Sequence, residues 1–335
     1  MKIQILKKSI VVLTVFVLSI ASYSSINDFI SDDIVAAVRV DYKAISTDPI
    51  MSEFYKNGIV KNKIDSYEVF VSQTGFRPEK DLNSIYALFS KDVISGNSKR
   101  TAIIFNGVFN EKKVTNYFQN MKKENKKISY TPVKYIGKTF YKTPDGSCFV
   151  FFDKNNLVLG NLEFSKELLD RYEKRNLIKI GSTKDAQVKE DSFKKYFGRS
   201  SDKDHIKGLI KITEDTKANI KKKYPGQAVF AKIDDVSFHG KIVPGVFISI
   251  DLNADTADSA KNISDMLNNL KLAGTLYGAR FGLLDIINGI SVTSSAKAAV
   301  ININLTYKQI KESVEKIKKI IPKSMIDKVK QQQNK

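Results

Sequence analysis

Gly137-Lys138-Thr139 has the residue types that close a phosphate-binding loop, where backbone N–H groups and a lysine cradle the anion. Such a loop also needs a glycine five residues before its last one, and Pro132 stands there. Tyr135-Ile136 and Phe140-Tyr141 flank the triplet, so it reads as a hairpin turn. No Gly-x-Gly-x-x-Gly segment for a dinucleotide occurs. Asp251-Leu252-Asn253-Ala254-Asp255 matches the first three ligand positions of a calcium loop. Its sixth position is Thr256 instead of Gly and its twelfth is Asn262 instead of a bidentate Glu. A strand end followed by a helix capped by Asp255 or Thr256 explains the same residues.

His205 and His239 are the only histidines, 34 positions apart, and no third zinc ligand accompanies them. Gly289-Ile290-Ser291-Val292-Thr293 lacks the second glycine of a nucleophile elbow. Ser-x-x-Lys recurs at Ser192/Lys195, Ser294/Lys297 and Ser313/Lys316, a spacing that a lysine-rich chain produces by chance. Asp234-Asp235 is the least excludable chemistry. A strand there puts one acid on each face of a sheet, and an acid on a concave face could serve glycoside or peptide hydrolysis. A solvated polar edge near a turn is the simpler explanation of the pair. Cys148, in Cys148-Phe149-Val150-Phe151-Phe152, reads as a small buried apolar residue. One thiol forms no internal disulfide, so the fold must rest on its core. No catalytic residue, cofactor or metal is assigned, and no enzyme is expected.

The chain carries 55 Lys+Arg against 36 Asp+Glu, a net charge of +19, which draws it toward anionic surfaces. Only seven of the basic residues are arginine, the better bidentate phosphate ligand. The densest stretch runs from Lys112 to Lys142. Within it Lys112, Lys113, Lys122, Lys123, Lys126 and Lys127 are the candidate contacts to an anionic polymer, and the alternative is a solvated helix face. Lys221-Lys222-Lys223 forms a shorter cluster. With 20 Phe and 14 Tyr but no Trp, a sugar-stacking platform is a weaker prospect.

Compartment decides which anion is met. Residues 1–21 read as a secretory signal: Lys2, Lys7 and Lys8, an apolar run from Ile10, then Ser19-Ile20-Ala21. The run is short against the roughly 20 residues that span a bilayer. The expected state is an extracytoplasmic protein, periplasmic or secreted, cleaved after Ala21 or Ser24. An uncleaved anchor over residues 9–26 is the alternative. No cysteine near either site would carry a lipid. The expected partners are an anionic lipid, an envelope polymer or another envelope protein, with no nucleic acid.

Positioning elements follow from periodicity. Strands are expected at 33–40, 82–89, 101–109, 138–143, 147–153 and 157–160, with helices at 61–72, behind Asn110, and at 164–175. A further helix is expected after Asp48-Pro49, carrying Met51, Phe54 and Tyr55 on one face. In the second half, strands are expected at 205–213, 227–238, 241–252, 290–293 and 298–305. Helices at 254–272, 276–287 and 307–320 complete it, with a hinge at His239-Gly240. The polar stretch 176–191 is the expected boundary between modules 22–178 and 179–335.

Asn110 precedes Cys148 by 38 residues and Asn253 precedes Ser291 by 38, so the halves look like a degenerate duplication. The class is α+β: two related modules, each an antiparallel sheet with helices packed on one face. The layout resembles uncharacterised exported bacterial proteins built from duplicated α+β modules. That resemblance rests on Ile104 to Asn110, Tyr135 to Tyr141 and Asn156 to Gly160. It implies no catalytic residues. The function expected is an exported, non-enzymatic binding or scaffolding protein of the cell envelope. The runner-up is an exported hydrolase using carboxylates that the sequence does not single out.

Overall fold

The computed structural model describes residues 29–30, 33–48, 64–94, 100–124, 130–180, 193, 196–197, 204–279 and 282–320. Contacts divide the chain between Ile210 and Lys211 into two compact units. The helix expected after Pro49 and most of the expected boundary segment lie outside the described residues.

In the unit before Lys211, eight strands form one antiparallel sheet. They are β1 (Ile34–Asp41), β2 (Leu82–Ser90), β3 (Thr101–Gly107), β4 (Thr131–Tyr135), β5 (Lys138–Lys142), β6 (Ser147–Phe151), β7 (Asn156–Asn161) and β8 (Ile206–Lys211). Their order is β8-β1-β2-β3-β7-β6-β5-β4. Register is set by pairs such as Val38↔Ala87, Ile104↔Val158 and Phe149↔Leu159. Its longer helices are α1 (Ile64–Thr74), α2 (Glu111–Glu124) and α3 (Leu162–Ile180). Asn110 caps α2 as its sequence position predicts, its side-chain oxygen accepting the Lys113 N–H at 3.0 Å.

Both faces of this sheet are covered, which corrects the expectation of helices on one face. Cys148, Val150 and Phe152 point into a core with Phe29, Ile104, Phe164, Leu168 and Tyr172, under α3. Phe149 and Phe151 point the other way, into a core with Tyr42, Ile85, Phe105 and Val114, under α2. The reason is in β6 itself. A strand that is apolar at every position from Cys148 to Phe151 has no face to give to water, so both must be packed. Fully burying each such Phe or Val stabilises the fold by about 1.5–3 kcal/mol.

The sequence reading missed β4, because Pro132 and Lys134 depress its strand signal. Both residues suit an edge strand, which β4 is. The β4–β5 turn is the Gly137-Lys138-Thr139 region. Ile136 (φ 42°) and Gly137 (φ 70°) both lie in the left-handed region that a tight hairpin of this hand requires.

The unit from Lys211 holds β9 (Ile233–Lys241), β10 (Gly245–Ala254), β11 (Ile290–Ser295) and β12 (Ala298–Thr306), in the order β11-β12-β10-β9. Its helices are α4 (Glu214–Lys223), α5 (Ala257–Gly278), α6 (Leu284–Asn288) and α7 (Tyr307–Ile320). Ala260 and Ile263 of α5 are fully buried against Ile233, Ala254 and Ala299. Two expectations are corrected. The strand predicted at 227–238 begins only at Ile233, because Pro225–Lys232 is a 3-10 helix entered at Pro225. The hinge predicted at His239-Gly240 lies inside β9, and the β9–β10 turn falls at residues 242–244. Helix α4 also went unforeseen, since it buries no residue and so has no apolar period to read.

Candidate anionic-ligand surface

Helix α2 exists because Val114, Tyr117 and Phe118 recur at helical spacing and dock on Tyr130, Phe149 and Phe70. Phe118 lies 4.7 Å from Phe149, ring centre to ring centre. Burying that stripe turns Lys112 and Lys113 to solvent in the first turn, directly behind the Asn110 cap. Two cations there add to the positive end of the helix dipole, an arrangement helix stability alone disfavours. Neither carries an ion pair among the described residues. Lys217, Lys232 and Lys261, by contrast, sit 2.7–3.1 Å from a carboxylate. The backbone of α2 runs on through Lys122 and Lys123. Lys126 and Lys127 lie outside the described residues.

Other lysines of the dense stretch stand on β4 and β5. Lys134 donates to Thr139 Oγ1 at 2.6 Å across the hairpin. Lys138 and Lys142 are half-buried beside it. Lys221, Lys222 and Lys223 are exposed in the last turn of α4, where cations stabilise the helix end and need no ligand to explain them.

The remaining candidates resolve into structural roles. Asp255 accepts from Lys232 Nζ at 3.1 Å, and Ser259 with that ammonium holds its carboxyl down at about 2. Thr256 is the cap of α5, accepting the Ser259 N–H at 3.1 Å. Together they replace a calcium loop with a helix start. Asp234 is exposed and accepts from Lys217 at 2.7 Å. Asp235 is half-buried and accepts from Asn253 Nδ2 at 2.6 Å, while burial pushes its carboxyl above the usual range. His239 pairs in register with Ser249, and the carbonyl of His205 accepts the Asp41 N–H at 2.6 Å. Cys148 is buried, and desolvation pushes its thiol up to about 11, far from a nucleophile's range. Among the described residues no group of three His, Cys, Asp or Glu could hold a metal ion.

Sequence reasoning missed two polar sets, one half-buried and one largely buried, because each joins residues remote in the chain. Arg100 contacts Asp33 at 3.2 Å and Glu167 at 2.6 Å, and Arg171 contacts Asp33 at 3.0 Å. Asn156 bridges Asn106 at 3.1 Å and Asp153 at 3.0 Å, and Asp153 also accepts from Tyr172. Both tie strands to α3 and are structural in character.

No protein-family model matches the chain, and no curated protein matches it. Among solved structures the chain is similar to TP0453 in crystal form IV, at 11% identity and a TM-score of 0.45, over 88% of this chain and 97% of that one. It is similar to TP0453 in crystal form I at 12% identity and a TM-score of 0.41, over 89% of this chain and 98% of that one. At these values the likeness carries no argument about function.

Proposed function

We infer that the chain is an exported, non-enzymatic binding protein of the cell envelope, directed at an anionic lipid or polymer. The observation that carries this is the exposed Lys112–Lys113 pair at the positive end of α2, in a chain of net charge +19. Positive charge so placed raises the local potential and steers anions toward it. The signal-like first 21 residues supply the compartment, where nucleic acid is not the anion met. Among the described residues no helix is long and apolar enough to cross a membrane.

The same reading takes the chain as a degenerate duplication. Strand order β2-β3-β7-β6 in the first unit parallels β9-β10-β12-β11 in the second. In each, a helix follows the second strand of the series (α2, α5) and another closes it (α3, α7). Repeated modules suit a scaffold that presents two surfaces.

Salt-titrated binding of the full chain to vesicles with and without anionic lipid, and to a soluble anionic polymer, tests the reading. Binding that requires the anion and weakens steeply with salt supports it. Absent or salt-insensitive binding removes it.

A further inference from the structure

Helix α5 changes character halfway along its solvent side. Its inward line is continuous: Ala260, Ile263 and Ser264 are buried, Leu267 is half-buried against the core, and Gly278 is buried again. Opposite that line, the first half presents Asp258, Lys261, Asn262 and Asp265, as a soluble helix should. In the second half Leu272 and Leu276 stand opposite that line and Leu270 and Tyr277 on its flank, exposed by 63%, 70%, 56% and 68% respectively. Leu284, which opens α6, extends the patch.

The inversion is built into the packing. A Cβ on Gly278 would lie 2.3 Å from Ile287 Cδ1, so α6 approaches α5 closely on its inward side. Small and polar groups (Gly274, Thr275, Gly278) fill that side, and the large apolar groups are left outside. Elsewhere among the described residues the exposed large hydrophobics are Val69, Val108, Ile136 and Tyr224, each isolated in sequence. Single exposed residues need no explanation, whereas a contiguous apolar patch marks an interaction site.

Charge decides the occupant. From Lys271 to Ile320 the sequence has eight basic residues against three acidic ones. Lys308 and Lys311 of α7 are exposed, Lys308 lying 3.9 Å from Glu312, and Lys316 pairs with Asp285 of α6 at 3.0 Å. An apolar helix arc with an aromatic ring and flanking lysines has the composition of an element that lies in a bilayer interface. Tyr suits the headgroup level, and each lysine near an anionic leaflet adds electrostatic attraction.

We propose that the C-terminal half of α5, with the start of α6, docks in the plane of a bilayer leaflet carrying anionic lipid. The docking is peripheral: the outward arc enters the interface while the inward line stays on the sheet. This rests on the reading of the chain as a binder of anionic surfaces, and it names the surface and the element that meets it.

The chain has no tryptophan, so Tyr277→Trp in the full chain gives a single emitter inside the patch. Emission should shift to the blue with vesicles containing anionic lipid, should be quenched by lipids brominated near the headgroup, and should return toward the free-protein value in high salt. Adding Leu272→Gln and Leu276→Gln, on exposed helix positions that tolerate a good helix former, should weaken this binding roughly tenfold. The melting curve by circular dichroism should stay in place. Three results overturn the proposal. One is an unshifted emission while the full chain still binds anionic polymer or vesicles, which spares the broader reading. Another is binding unchanged by the two glutamines. The third is a blue shift that grows with protein concentration in the absence of lipid, with a doubled mass by light scattering, which would assign the patch to a second copy.

Discussion

The carbonyl oxygen of Phe247 lies 2.0 Å from where a Cβ on Gly240 would stand, and Ile248 Cα lies 2.7 Å from it. Both obstacles are backbone of the paired strand β10, so nothing can swing aside. Gly240→Ala is therefore expected to open the β9–β10 pair and to cost about 2–3 kcal/mol of stability. Gly278→Ala, opposed only by the mobile tip of Ile287, should cost less. Denaturant melts of the two variants check the ranking, and equal midpoints would refute it.

Asp33, Arg100, Glu167 and Arg171 share one half-buried cluster, with Arg100 also 5.4 Å from the ring centre of Phe164. Removing the Asp33 charge leaves two guanidinium groups sharing the single Glu167 carboxylate. Asp33→Asn should destabilise by about 1–2 kcal/mol at low salt, and by less at high salt. A loss independent of salt would show that packing, not charge, dominates there.

The Cys148 thiol is held up at about 11 against an ordinary value of 9.0, mainly by burial, with a Ser165 hydrogen bond acting in the opposite sense. The unfolded chain thus forms the thiolate first. This group's contribution is complete below pH 9 and lost as pH rises toward 11, by about 2–3 kcal/mol at most. Cys148→Ala should flatten that part of the stability profile. In the native chain at neutral pH the thiol should resist modification until the fold opens; prompt reaction would contradict its burial.

Export leaves a mark on the chain itself. Mass spectrometry of the protein from its own cells should find a first residue of Ser22 or Ser25. An intact Met1 in the membrane fraction would support the anchor over residues 9–26, and an intact Met1 in the cytoplasm would end the export reading.

Much of the fold is legible because period and caps are local signals. Asn110 announces α2 and Thr256 announces α5, and each cap makes its hydrogen bond. Cys148 to Phe152 shows its burial by composition, yet its neighbours on two opposite cores depend on strands distant in sequence. Helix α4 and strand β4 escape for the converse reason, having little apolar pattern of their own. Lys112 and Lys113 are visible both as charge and, behind the Asn110 cap, as the first turn of a helix, and the structure adds their exposure. The apolar arc of Leu272, Leu276 and Tyr277 was hidden more deeply. The sequence reading ends one helix at 272 and starts another at 276, whereas α5 runs unbroken to Gly278 and carries all three on one helix.

Charge reversal at the α2 N-terminus tests the central claim most directly. Lys112→Glu combined with Lys113→Glu touches no core residue, and should leave the melting curve close to that of the parent chain. Binding to anionic vesicles, followed against salt, should weaken by roughly tenfold or more at low salt, with a shallower salt dependence. Binding of unchanged strength and unchanged salt dependence would contradict the assignment of this surface.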